Sequence, residues 1–122
     1  MANINLRGNG IGAEGTSSFA AALKVNTTVT EVDVGSNNIG DEGVSMLAYA
    51  LKVNRSVTNI NIGGNQISAE GASALADALI VNTSVTSMNL RYNIIGDEGA
   101  MALADALKVN TVVFMLVSMG CD

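Results

Sequence analysis

Apolar residues fall along this chain in two alternating rhythms. Ile4 and Leu6, Val32 and Val34, Ile60 and Ile62, and Met88 and Leu90 are spaced by two, with mostly polar residues around them. That is the period of a short strand with one buried face. Three residues after each pair come Asn9, Asn37, Asn65 and Asn93, followed two later by Ile11, Ile39, Ile67 and Ile95. The spacing then changes to three and four. Val44, Leu47, Ala48 and Leu51 form one inward stripe and Ala72, Leu75, Ala76 and Leu79 its counterpart, which predicts amphipathic helices of about three turns.

The two rhythms recur together with a period of 28 residues, dividing the chain into blocks 1–28, 29–56, 57–84 and 85–112 plus a partial block 113–122. Self-similarity at such a period is the signature of a solenoid, in which each unit buries its apolar side only against its neighbours. Asp41 and Asp97 stand where an N-cap is expected, and Ser68 serves the third block. Glu14, Glu42, Glu70 and Glu98 fall in the first helical turn, where the helix dipole favours them. Asn26, Asn54, Asn82 and Asn110 follow the last apolar helical positions and are expected to take the left-handed conformation that ends many helices. The chain has no proline to interrupt the alternation.

Composition narrows the function. With 122 residues, 48% hydrophobic and 14% charged, the chain is a single domain able to bury a core. A net charge of −5 argues against a grip on nucleic-acid backbones. There is no His and a single Cys, Cys121, so His-based acid–base chemistry, His or multi-Cys zinc sites and an internal disulfide are excluded by inventory. The N-terminus lacks the basic and apolar regions of a signal peptide, and no apolar run is long enough to cross a bilayer. A cytoplasmic setting with no membrane partner is expected.

The spacing LxxLxLxxNxL, read in Val29–Ile39 and again in Val85–Ile95, resembles the leucine-rich repeat family. The 28-residue period and the Gly-Asp-Glu-Gly sequence at 40–43 and 96–99 look like its ribonuclease-inhibitor-like subclass, shared by NOD-like receptors, the Ran GTPase-activating protein and, more loosely, tropomodulin. The resemblance implies an α/β solenoid, a short right-handed horseshoe arc with parallel strands on the concave face and helices on the convex one. It also implies that Asn9, Asn37, Asn65 and Asn93 form a structural asparagine ladder. In the partial last block Cys121 occupies that column, where the family accepts cysteine as a buried, weak donor; the other reading is an end-exposed cysteine able to form an intermolecular disulfide.

Motifs that suggest chemistry have plainer readings. Gly10-Ile11-Gly12-Ala13-Glu14-Gly15 is a formal GxGxxG, but two of its glycines belong to the repeat's own turn, and Ile4-Asn5-Leu6 alternates where a dinucleotide-binding strand would be continuously apolar. The glutamates at the helix starts form an acidic row, yet each faces its own helix N-terminus and no cation cage of six oxygens converges. No metal or cofactor is expected. Three glycosylation sequons begin at Asn26, Asn54 and Asn82; they recur at one repeat position and read as accidents of the repeat.

Side chains between the buried strand positions point to solvent, and this face is the candidate for function. It carries Asn3, Asn5, Arg7 and Gly8; Glu31, Asp33, Gly35 and Ser36; Asn59, Asn61, Gly63 and Gly64; and Ser87, Asn89, Arg91 and Tyr92. Arg91 and Tyr92 are of the types that most often anchor interfaces. Glu31 and Asp33 offer a negative patch, while Asn5, Asn61 and Asn89 share a column with Asp33, and Arg7 lies beside them. The expectation is a non-enzymatic module that binds another protein through these residues. Two other readings stay open: a regulatory subunit resembling a GTPase activator, and a self-assembling repeat that pairs its uncapped ends through Phe114 and Leu116.

Overall fold

The computed structural model describes residues 2–110 and 115–117. Phe114 and Cys121 lie outside the described residues. Strands and helices alternate: β1 (Ala2–Asn5), α1 (Gly12–Val25), β2 (Val29–Asp33), α2 (Gly40–Val53), β3 (Asn59–Asn61), α3 (Ala69–Val81), β4 (Ser87–Asn89), α4 (Gly96–Leu107) and β5 (Met115–Val117). The strands pair in parallel and in chain order. The register advances by one repeat at each step: Val32 opposes Ile60, Ile60 opposes Met88, and Met88 opposes Leu116. Each helix packs on the next in the same order.

Curvature follows from two unequal spacings. Neighbouring strands sit about 4.8 Å apart, whereas packed helices need roughly 8–10 Å. A stack that satisfies both must bend with the sheet on its inner side, so the strands form the concave face.

The core lies between the two layers. Val44, Leu47, Leu51, Leu75 and Leu79 are wholly buried, as are Ile62, Ile67, Met88 and Leu90. Each such aliphatic side chain contributes about 1.5–3 kcal/mol relative to exposure, and truncating Leu75 to Ala would cost about 2–5 kcal/mol. Ile4 and Leu6, in the first coil, are only half-buried.

The helix ends differ from the sequence expectation. Asp41 and Asp97 do not cap their own helices: α2 and α4 begin one residue earlier, at Gly40 and Gly96, preceded by Ile39 and Ile95 in helical conformation with no side-chain cap. The reason is conformational, because Gly40 and Gly96 adopt φ of +71° and +70°, open to glycine at little cost, and so start the turn ahead of the acid. Where that position holds Ser68, the backbone is extended and the hydroxyl accepts from the Glu70 N–H.

At the other end, Asn26, Asn54 and Asn82 are extended, with ψ near 135°, and not left-handed. The amide has another task. Asn54 Nδ2 donates to the carbonyls of Leu23 and Asn26 in the preceding repeat, and Asn82 Nδ2 does the same to Leu51 and Asn54. Their Oδ1 atoms accept from the N–H groups two and three residues on, Ser56 and Val57, Ser84 and Val85. The chain thus carries a second asparagine ladder, and it requires the extended backbone.

Candidate functional site

Four strand-borne columns build the concave face, and the backbone that presents them is fixed from beneath. Asn37 Nδ2 donates to Leu6, Val34 and Gly35 carbonyls while its Oδ1 accepts from the N–H groups of Asn9 and Ile11. Asn65 and Asn93 repeat the pattern one and two coils on. Buried amides must satisfy every donor and acceptor, and these do so by tying each loop to its neighbour. Asn9, in the first coil, is exposed and bonds only its own loop through Nδ2.

Above this ladder runs a further set of bonds. The Oδ1 atoms of Asn5, Asp33, Asn61 and Asn89 accept from the N–H of Arg7, Gly35, Gly63 and Arg91 at 2.9–3.1 Å. These are Asx turns, which lock the strand's exit. The carbonyl side of this column is therefore committed to the backbone, and the amide Nδ2 donors of Asn5, Asn61 and Asn89 have no protein acceptor among the described residues.

The face is split into two shallow grooves. One, of about 370 Å³, is lined by Asn3, Asn5, Glu31, Asp33, Asn59, Asn61, Ser87 and Asn89, with Ile4, Val32 and Ile60 at its floor. The other, of about 310 Å³, is lined by Arg7, Ser36, Asn61, Gly63, Gly64, Asn89, Arg91 and Tyr92. The first groove is acidic and the second basic. Arg7 Nη1 lies 3.8 Å from Asp33 Oδ1 at the boundary between them. Arg91 lies 5.7 Å from the Tyr92 ring centre, within cation–π range.

Gly35 and Gly63, expected on the open surface, are buried. The Arg7 guanidinium lies over Gly35, where a Cβ would come within 2.5 Å of it, and a Cβ on Gly63 would come within 3.0 Å of the Arg91 carbonyl. Tyr92 is 70% exposed and holds φ of +61°, a left-handed conformation that is an outlier for a bulky residue. Its equivalents Gly8, Ser36 and Gly64 share that conformation at +69°, +55° and +67°. The repeat's turn thus dictates the geometry, and Tyr92 adopts it against its own preference. Periodicity alone signals the column but not this strain.

The sequence profile of the Leucine Rich repeat family matches residues 4–20, 25–48, 53–76 and 81–104. The chain belongs to the leucine-rich repeat family. Its 28-residue units, each with a full helix, place these leucine-rich repeats in the ribonuclease-inhibitor-like type. Among solved structures, "Leiomodin-1 Actin-Binding Site 2 (ABS2)" is similar at 28% identity and a TM-score of 0.88, over 97% of this chain and 70% of that one. The tropomodulin C-terminal domain of Caenorhabditis elegans is similar in fold at 15% identity and a TM-score of 0.86, over 97% of this chain and 73% of that one. No curated protein matches the chain by sequence.

The remaining motifs are absorbed by the leucine-rich repeat itself. The Gly10 and Gly12 positions take φ of +62° and +70°, as do Asn38 and Gly40 one repeat later at +58° and +71°. The formal GxGxxG is therefore the repeat's turn. In the acidic row, the Asp41 carboxylate is engaged by Ser68 and Gly71 of the next repeat. Asn54 and Asn82, which open two of the sequons, are 2% and 1% exposed. No helix among the described residues is long and apolar enough to cross a membrane.

Proposed function

We propose that this leucine-rich repeat chain is a non-enzymatic interaction module that binds a partner protein through its concave strand face. The observation that carries this reading is the pairing of a backbone pinned by stacked asparagine ladders with an uninterrupted row of exposed, chemically varied side chains. Asn3, Glu31 and Asn59 are exposed and Ser87 half-exposed in one column, and none of the first three bonds through its side chain to the protein among the described residues. Rigid presentation lowers the entropy lost on binding.

Five short strands at about 4.8 Å spacing offer a face only about 20–25 Å across, short of the ~800 Å² per partner of a standard interface. The loops carrying Arg7, Ser36, Gly64 and Tyr92 therefore belong to the site. The similar leiomodin-1 structure is titled an actin-binding site, which makes actin the first partner to test.

The experiment is titration of the full chain against purified actin, with a Glu31→Arg/Asn59→Arg variant beside the native protein. Both substitutions are on exposed positions, so an unchanged melting temperature with binding lost is the expected result. Binding that persists at native strength in that variant would remove the concave face from the site.

A further inference from the structure

Set one above another, the four repeats read Arg7, Gly35, Gly63, Arg91 in one column and Gly8, Ser36, Gly64, Tyr92 in the next. Two arginines thus stand on the outer repeats with a floor of glycines between them. The columns lie in the turns that leave successive strands, held side by side by the N–H groups of Gly8, Ser36 and Gly64 donating to the carbonyls of Gly35, Gly63 and Arg91, so the arginine Cα atoms are about 14 Å apart at three strand spacings. Arg7 closes part of that gap by laying its guanidinium over Gly35. What is left open is a seat above Gly63 and Gly64, with Arg7 on one side and Arg91 on the other.

Every side chain that lines this seat can donate a hydrogen bond. Arg7 and Arg91 supply guanidinium N–H groups, Asn61 and Asn89 have Nδ2 donors while their Oδ1 atoms are held by Gly63 and Arg91 N–H, and Ser36 and Tyr92 supply hydroxyls. No carboxylate lines it. Asp33, the acid nearest Arg7, faces the other groove and approaches only to 3.8 Å, too far for a hydrogen bond. Two guanidiniums and no carboxylate line this recess on a chain of net charge −5, so charge is locally inverted there, although the Arg91 carbonyl and the Asn61 and Asn89 Oδ1 atoms face the space above Gly63.

Resting on the concave-face reading above, we propose that this seat takes a carboxylate side chain from an acidic segment of the partner protein. Arginine forks match a carboxylate in a planar, two-bond geometry, and such charge-assisted bonds are the strong ones. The glycine floor matters because a Cβ at Gly35 would come within 2.5 Å of the Arg7 guanidinium and one at Gly63 within 3.0 Å of the Arg91 carbonyl, and either would lift an incoming carboxylate away from the arginines. The acidic groove alongside, with Glu31 and Asp33, would then favour a basic or neutral residue further along the same segment, giving the partner a direction.

The test is fluorescence anisotropy of the full chain with a labelled hexaglutamate peptide, set against hexaglutamine and hexalysine. The proposal expects hexaglutamate to bind in preference to both, to weaken as salt rises from 50 to 200 mM, and to lose about tenfold or more in affinity with Arg7→Gln or Arg91→Gln. Arg91→Lys should recover part of the loss, since it restores charge without the fork. Equal binding of hexaglutamate and hexaglutamine, or hexaglutamate binding indifferent to both Gln variants, overturns it. Partner binding that is lost in Glu31→Arg/Asn59→Arg but indifferent to Arg7→Gln and Arg91→Gln overturns the seat and leaves the concave face standing. Indifference to all four changes overturns both.

Discussion

The carboxylate of Asp41, in the first turn of α2, accepts from the backbone N–H of Ser68 at 2.8 Å and from its hydroxyl, and so caps the start of the next repeat's helix in place of its own. The same Oδ1 also accepts from the Gly71 N–H at 3.1 Å. Three bonds therefore cross from one repeat to the next at the helix starts, where orphan N–H groups and the dipole both favour an anion.

Asp41→Ala should accordingly cost about 1–2 kcal/mol, in the range of a lost cap, and lower the melting temperature by roughly 3–8 °C. Asp97→Ala, at an exposed residue of the same repeat position, should stay within about 0.5 kcal/mol of native. Gly71→Ala should cost more than Asp41→Ala, since a Cβ there would come within 2.5 Å of Asp41 Oδ1, 2.7 Å of Ile67 Cγ2 and 2.8 Å of Val44 Cγ1. The two changes share the Asp41 contact, so denaturant melts of the double variant should show less than the sum. An Asp41→Ala loss no larger than that of Asp97→Ala would mean the cross-repeat cap contributes nothing.

The asparagine ladder sets up a gradient along the stack. Asn65 is fully buried, donates to three carbonyls and accepts from the N–H groups of Asn37 and Ile39. Asn65→Ala leaves several buried backbone groups without partners at about 1–3 kcal/mol each, so a loss above about 3 kcal/mol is expected in urea unfolding. Asn9→Ala, on an exposed residue with two local bonds, should cost no more than about 1–1.5 kcal/mol. Equal losses at the two sites would contradict a ladder that gains strength from burial.

How far the fold was legible in the sequence depends on which atoms carry each feature. Leu47 and Leu75 announce their burial by spacing alone, because side-chain burial is what hydrophobic periodicity records. Asp41 and Asn54 do not, because both act on backbone atoms of a neighbouring repeat, 27 and 31 residues away, and no local pattern encodes such a partner. Local propensity instead points to an ordinary N-cap for Asp41 and an ordinary left-handed helix end for Asn54, and tertiary bonding overrides both. At the candidate site, the period of two places Glu31, Asn61 and Arg91 on one face. It does not disclose that Arg7 crosses over Gly35, a reach that depends on the missing Cβ of the next repeat.

The second ladder makes Asn82 a stability determinant that sequon matching would misread. Its Nδ2 donates to Leu51 and Asn54 carbonyls at 2.7 and 3.2 Å and its Oδ1 holds the Ser84 and Val85 N–H groups. Asn82→Ala should cost about 2–4 kcal/mol. Asn82→Asp should be nearly as damaging, since a carboxylate cannot donate to the two carbonyls it would face. Thermal melts of the two variants check this; a native-like Asn82→Asp would show that the donor half of the amide is dispensable.

Tyr92 offers the sharpest separation of stability from binding. Its backbone sits at φ +61° with the ring 70% exposed, so the fold gains little burial from the side chain while bearing a conformational cost of about 1–3 kcal/mol. Asn tolerates this region far better than Tyr. Tyr92→Asn should therefore raise stability, by up to about 1 kcal/mol, while removing the aromatic wall against which Arg91 stacks. Partner affinity should fall as stability rises, because strain of this kind persists where the side chain is needed for another purpose. Unfolding and binding measured on the same preparation decide it: a Tyr92→Asn protein that is more stable and binds its partner as before would make the strain an accident of the repeat, and one that is less stable would mean that Tyr92 packs against the fold more than its exposure indicates.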